Sequence, residues 1–251
     1  AKNDLEHVLA EQEEHIKQRT LELERSNNAL KEFSTFAAHD LKEPLRKILV
    51  FSGRIQEVID VEPGGIAQQY LDGMGRSAER MNSLIDDLLK LSQVASQGTN
   101  FRKVDLNKVV AEVIEDLEPN YPDSRKNISV QSLPKVDADK TQMYQLFKNL
   151  LSNSLKYAKT DEPPRISIEV EINSDGHHLI AIRDNGIGFD EIYKEKIFKP
   201  FERLHGRSQY SGTGIGLAIC KKVVESHNGE LDVESQMNVG STFTIRLPKS
   251  S

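Results

Sequence analysis

The 251-residue chain has no tryptophan, one cysteine and no apolar run near the ~20 residues that a membrane-spanning helix needs. A lone cysteine, Cys220, excludes an internal disulfide framework and fits a reducing compartment; a small buried residue on a helix is the expected role. Positive charge is also in deficit. Lys and Arg number 33 against 39 Asp and Glu, giving a formal net charge of −6 with no dominant basic cluster, which argues against a general nucleic-acid binder. No signal peptide is visible. There is no G-x-x-x-x-G-K-[ST], which excludes a P-loop, and neither V-A-I-K nor H-R-D, which excludes a serine/threonine kinase. Internal repeats and low-complexity tracts are missing too.

What is present is a soluble globular composition, 37% hydrophobic and 29% charged, of a length that suits one large domain or two small ones. Residues 3–60 read as one long helix. Leu9, Ile16, Leu23, Leu30 and Ala37 repeat every seven residues, with polar Gln12, Arg19 and Ser26 between them, so residues 1–32 are expected to form an adjustable coiled coil. Leu41, Leu45, Ile48, Ile55 and Ile59 continue the stripe, with Ser52 filling one slot. VEPGG (61–65) breaks it, and a second helix over 66–94 carries Met74, Ala78, Met81, Ile85 and Leu88 on one face. A single hairpin leaves such stripes exposed, and two copies bury them in a four-helix bundle, so an obligate homodimer is expected. Residues 33–95 are one domain in this reading and 96–102 a linker. Beyond it, 103–251 mixes helices (105–117, 139–158, 214–227) with strands (128–131, 165–172, 177–184, 230–236, 241–247), and Asp105 suits an N-cap. Helices segregated from a mostly antiparallel sheet make an α+β sandwich.

Four segments carry chemistry: FAAHDLKEPLRKI around His39, NLLSNSLKYA (149–158), DNGIGFD (184–190) and GTGIGLAI (212–219). An ordinary imidazole, with a pKa of about 6.5, keeps a ring nitrogen free to attack phosphorus at neutral pH. Asp40 can accept or orient the proton on the other nitrogen. Pro44 has no N–H for the Asp40 carbonyl and is expected to bend the helix there. Asn149 and Asn153 lie four apart on one helix face, where carboxamides can hold a hydrated Mg²⁺ and phosphates without adding negative charge. Lys156 suits phosphate oxygens, and the Tyr157 ring suits the flat face of a base. Gly186 and Gly188 allow close backbone approach. Gly212, Gly214 and Gly216 precede a helix whose N-terminal amides can meet phosphate.

The order and spacing of these segments, over essentially the whole chain, resemble a bacterial sensor histidine kinase. The resemblance implies an N-terminal hairpin for dimerisation and histidine phosphotransfer, then a catalytic domain of the histidine kinase/topoisomerase/chaperone-type ATPase fold, with ATP and Mg²⁺ as cofactors. In that family the H-box histidine, here His39, is phosphorylated with help from its neighbouring acid, here Asp40. The second N-box asparagine, here Asn153, binds Mg²⁺, and the aspartate matched by Asp184 receives the adenine amino group. IFKPFERL (197–204) resembles the base of an ATP lid, with Phe198 and Phe201 as packing anchors and Arg203 reaching the γ-phosphate. The lid itself is expected at about 203–213. The phosphate is expected to pass to an aspartate of a response-regulator receiver domain. Two departures matter. Glu43 stands four after His39, where relatives have Thr or Asn, so phosphatase activity is expected to be weak. Asn149 stands where the hydrolases of this fold carry a water-activating glutamate, so ATP hydrolysis is disfavoured; a non-catalytic ATP-binding scaffold is the other alternative. The chain begins within a helical pattern and reads as a cytoplasmic catalytic fragment without its sensor, with no membrane contact of its own; the parent is expected to be either soluble or membrane-anchored.

Overall fold

A computed structural model of the chain describes residues 12, 15, 17–19, 37, 38, 40–57, 64–96, 101–204, 210 and 212–249. His39, the heptad residues Leu9, Ile16, Leu23 and Leu30, and lid residues 205–209 and 211 lie outside them. The chain divides into two compact units, 1–97 and 98–251.

In the first unit, helix α1 (residues 40–57) runs through Pro44, and α2 (Ile66–Ser96) follows a turn at Gly64. The two are tied side by side. Ser52 Oγ donates to the Leu71 carbonyl at 3.3 Å, Gln56 Nε2 donates to Asp72 at 3.2 Å, and Lys42 pairs with Asp86. The apolar positions resolve into two stripes on each helix rather than one. Ala38, Leu45 and Ser52, with Leu71 and Ala78 on α2, are buried, whereas Leu41, Ile48 and Ile55 on α1 and Met74, Met81 and Leu88 on α2 are exposed. Each exposed stripe is offset by three residues from the buried one, about 60° round the helix.

The second unit is an α+β sandwich. Helix α3 (Leu106–Leu117) starts at Asp105, whose carboxylate accepts from Asn107 N, and α5 (Lys140–Lys156) starts at Asp139, which accepts from Thr141 N and Gln142 N. A single turn, α4 (Ser124–Asn127), leads into the sheet, and α6 (Gly216–Ser226) is the last helix. Strands β2 (Ile128–Val130), β4 (Ile166–Ile172), β5 (His178–Asp184), β6 (Glu230–Gln236) and β7 (Gly240–Leu247) form a five-stranded sheet of order β2-β4-β5-β7-β6. It is antiparallel except for the parallel β2–β4 pair. Two strands that the sequence pattern does not reveal, β1 (Arg102–Asp105) and β3 (Lys135–Ala138), pair separately. At four residues each they are too short to show alternation.

Alternation along the longer strands explains the layering. Ile166, Ile168, Ile180, Ile182, Val233, Phe243 and Ile245 are buried on the helix side with Val113, Phe147, Leu150, Ile219 and Val223. Truncating one of the isoleucines, Leu150 or a phenylalanine of this set to Ala costs about 2–5 kcal/mol. Cys220 is buried as expected, and desolvation pushes its thiol up to about 12, so it is inert packing. Among the described residues no helix is long and apolar enough to cross a membrane. β5 is the middle strand, so its last residue, Asp184, sits at the mouth of the sandwich between Ile166 of β4 and Ser241 of β7.

Candidate nucleotide site

The C-terminal half of α5 lies over the end of β5, and the loop after β5 is pinned to it: Ile187 N donates to the Tyr157 carbonyl at 3.0 Å. A Cβ on Gly186 would fall 2.6 Å from that same carbonyl oxygen. Gly188 has φ +59°, and a Cβ there would lie 2.0 Å from the Gln236 carbonyl oxygen, so no side chain is tolerated. These contacts bring Asn149, Asn153, Lys156, Tyr157, Asp184, Gly186 and Gly188 into one neighbourhood.

Asp184 is its electrostatic centre. Burial raises its pKa, against the bonds that favour the carboxylate: Gly186 N at 2.9 Å and Ser241 N at 3.2 Å to Oδ1, and Ser154 Oγ at 3.2 Å to Oδ2. The two asparagines differ sharply. Asn149 is taken up within the fold, accepting from Gln145 Nε2 at 2.8 Å and donating to the Gly216 carbonyl at 3.1 Å. The half-buried Asn153 carboxamide makes no hydrogen bond among the described residues. Lys156 Nζ lies 3.0 Å from the Tyr157 hydroxyl and 4.5 Å from its ring centroid. No group of three or more His, Cys, Asp or Glu side chains positioned for a metal occurs among the described residues. A magnesium site built on an amide oxygen and phosphates needs none, and the unpartnered Asn153 amide fits that chemistry.

On the far side, Gly212 and Gly214 take φ values of +126° and +80°, and α6 opens at Gly216 with no side-chain cap. Its first amides are therefore available to an anion. A Cβ on Gly216 would lie 3.7 Å from the Asn149 carboxamide carbon, an ordinary contact, so space alone does not require glycine there. Arg203 is turned onto lid backbone, donating to the Gly212 carbonyl at 2.8 Å and to the Tyr210 carbonyl. The Tyr210 ring lies 4.7 Å from the Tyr157 ring. One expectation is corrected: Phe198 is buried, but Phe201 is 59% exposed and is not a packing anchor. Its φ is +66° and its amide donates to the Gly214 carbonyl, a turn that sends the side chain to solvent. Asp40 is exposed on α1 and makes interactions of its own.

Sequence reasoning missed Ser154, Ser241 and Gly240. Ser154 was legible as a hydroxyl between two motif residues. Gly240 has φ +137°, and a Cβ on it would come 2.0 Å from the Asp184 carbonyl oxygen, a long-range approach with no local signature. A cavity of about 930 Å³, lined by Ser167, Arg183, Glu234 and Thr242 among others, shares only Asp184 with the predicted nucleotide residues and is not where they converge.

Comparison with known proteins assigns families to both parts of the chain. Residues 138–251 match the histidine kinase-, DNA gyrase B-, and HSP90-like ATPase family, and residues 29–97 match the His Kinase A (phospho-acceptor) domain. The chain is 37% identical over 245 residues to cyanobacterial phytochrome A of Nostoc sp., covering 96% of this chain and 31% of that protein. It spans about a third of the length of this and two other phytochrome relatives that it matches. In fold it is similar to full-length ShkA in complex with AMPPNP (TM-score 0.65, 21% identity, 88% of this chain and 46% of that one). It is also similar to ThkA in complex with the response regulator protein TrrA (TM-score 0.57, 24% identity, 87% and 61%). The chain thus joins a His Kinase A (phospho-acceptor) domain to a domain of the histidine kinase-, DNA gyrase B-, and HSP90-like ATPase family. The chain belongs to the sensor histidine kinases.

Proposed function

We propose that this chain is the ATP-dependent protein-histidine kinase core of a two-component system, phosphorylating His39 and then an aspartate on a response-regulator receiver domain. The observation that carries the reading is the contrast along α5: an asparagine with its amide unused, one turn from one bonded at both its oxygen and its nitrogen, beside the buried Asp184 carboxylate. ATP is the substrate. Asp184 accepts from the adenine amino group, the Tyr157 ring lies against the base, and the amides at the start of α6 with Lys156 meet the phosphates. Mg²⁺, held through Asn153, supplies charge neutralisation on the triphosphate. A ring nitrogen of His39 attacks the γ-phosphorus, the bond to the bridging oxygen breaks and ADP departs, while Asp40 takes the proton from the other ring nitrogen. Arg203 braces the lid through its bonds to Tyr210 and Gly212.

The phospho-acceptor part works as a homodimer in this proposal. Leu41, Ile48, Ile55, Met74, Met81 and Leu88 are between 39% and 55% exposed in one chain, and a second hairpin would cover them. A receiver domain as phosphate acceptor is supported by the hairpin's family and by the ThkA–TrrA complex. The setting is cytoplasmic, in keeping with the lone buried cysteine. Phosphatase activity is weak, because Glu43 is a carboxylate held by Lys47 at 2.7 Å. No observation favours the hydrolase: Asn149 occupies the general-base position with its amide already bonded.

Labelling with γ-³²P-ATP tests this. Acid-labile, alkali-stable label is expected on the chain and is lost in His39→Ala; a phosphorylated receiver added afterwards keeps its phosphate. Acid-stable label, label surviving in His39→Ala, or tight ATP binding with no label at all would overturn the kinase reading. Rapid Glu43-dependent receiver dephosphorylation would overturn the phosphatase expectation alone.

A further inference from the structure

Ser154 stands between Asn153 and Leu155, is buried at 4% exposure, and is used by none of the chemistry above. Its hydroxyl has one proton and two acceptors in reach: the Leu150 carbonyl at 3.2 Å, one turn back, and Asp184 Oδ2, also at 3.2 Å. The Asp184 carboxylate is unevenly supplied. Oδ1 receives two backbone amides, Gly186 N and Ser241 N, which fill both of its lone-pair directions. Among the described residues Oδ2 receives only Ser154, so it is the oxygen with a direction left for a ligand.

We propose that Ser154 is a positioning residue that keeps Asp184 an acceptor and aims Oδ2, so that the site selects a 6-amino purine over a 6-oxo purine. This rests on the reading of Asp184 as the adenine partner. The logic is one of donor and acceptor. An ionised carboxylate can only accept, which suits the exocyclic amine of adenine and sets oxygen against oxygen with guanine. A protonated carboxyl would donate and welcome the 6-oxo group. Which form is present depends on burial, which favours the neutral acid, against three donors that favour the anion. Two are backbone amides of the loop after β5 and of β7; the third, from α5, is the Ser154 hydroxyl, the only side chain among them. No neighbouring charge, on those elements or on β4, is among the causes that shift Asp184. Losing Ser154 therefore removes the one protein donor on the ligand-facing oxygen and tips the balance towards the neutral acid.

The test uses Ser154→Ala in the whole chain. Alanine is the better helix former, so folding is preserved; circular dichroism and thermal melts check this. Calorimetric titrations with ATP, GTP and purine riboside triphosphate, which lacks the 6-substituent, are run across the weakly acidic to neutral range. Ser154→Ala is expected to weaken ATP binding roughly three- to tenfold at neutral pH and to leave the unsubstituted purine unchanged. It should also shift the acid limb of ATP binding to higher pH than in the parent, and narrow the ATP-over-GTP preference as pH falls. Equal losses for ATP and the unsubstituted purine, or a pH profile superimposable on the parent's, would overturn the proposal while sparing Asp184. Asp184→Asn separates the two: if it keeps the parent's preference for ATP over the unsubstituted purine, the adenine reading itself falls.

Discussion

Asn149 and Asn153 are the same residue type on the same helix face, yet their removal is expected to give opposite signatures. Asn149→Ala deletes the bond to the Gly216 carbonyl and strands the Gln145 amide, linking groups 67 residues apart in the first case. Such losses cost about 1–3 kcal/mol, and the better helix propensity of alanine returns about 0.5 kcal/mol. The net is a destabilisation of about 0.5–2.5 kcal/mol, or a fall of about 2–8 °C in Tm for a unit of this size. Asn153→Ala deletes no described hydrogen bond, so only the propensity gain remains, a rise of about 1–2 °C. Its effect on ligand is the reverse. Without the amide oxygen the metal–triphosphate has lost its helix anchor, and ATP affinity in Mg²⁺ falls by at least about tenfold, the equivalent of one good ligand bond. Urea titration and differential scanning calorimetry give the stability, and isothermal titration the affinity. If both variants move stability in the same direction, or if Asn153→Ala still binds Mg²⁺–ATP like the parent, then a free amide is no guide to the metal ligand and the assignment fails.

Two further outcomes follow from the structure. His227 is buried, accepts from Asp139 N at Nε2 (3.1 Å), holds the Val223 carbonyl with Nδ1 (2.7 Å) and stacks on Phe101. Desolvation lowers its pKa against that carbonyl bond and the Asp139 charge, so the unfolded chain binds the proton first as pH falls through the ordinary value of 6.5. Stability from this residue is complete above that value, declines below it, and levels off once the lower folded pKa is passed. Urea midpoints should show this decline in the parent and a flatter profile in His227→Gln; parallel profiles would refute it. In the hairpin, charging the exposed stripe with Ile48→Glu and Met81→Glu is expected to convert a dimer to a monomer in light scattering with α-helical content retained. A dimer that survives both changes would place the interface elsewhere.

Much of the fold was written in local pattern. Period-two alternation set β4 and β5 to within a residue, and Asp105 and Asp139 marked two helix starts because a carboxylate beside free amides acts locally. What escaped was whatever depends on distant partners. The strands β1 and β3 exist because Val104 and Val136 find each other and become buried, which four-residue segments cannot announce. On α1 and α2 the 3–4 spacing located apolar residues but merged two stripes into one. Only the partner helix decides that Leu45 and Ala78 face inward while Leu41 and Met81 do not.

The site repeats that lesson at the level of single hydrogen bonds. Motif spacing places carboxamides, a carboxylate, a cation and glycines within reach of one ligand, but it is silent on which polar groups the fold has already satisfied. Asn149 already donates to the first turn of α6, Arg203 to lid carbonyls, and Asp184 Oδ1 accepts from β7 and the glycine loop. Among the described residues this leaves the Asn153 amide, one direction on Asp184 Oδ2 and the first amides of α6, which has no side-chain cap. They differ in character, from a neutral ligand oxygen to an anionic acceptor to a row of donors. That division is the one the proposed ligand requires, with its metal-bound phosphate tail and amino-bearing base, which neither an anion alone nor a base alone would satisfy.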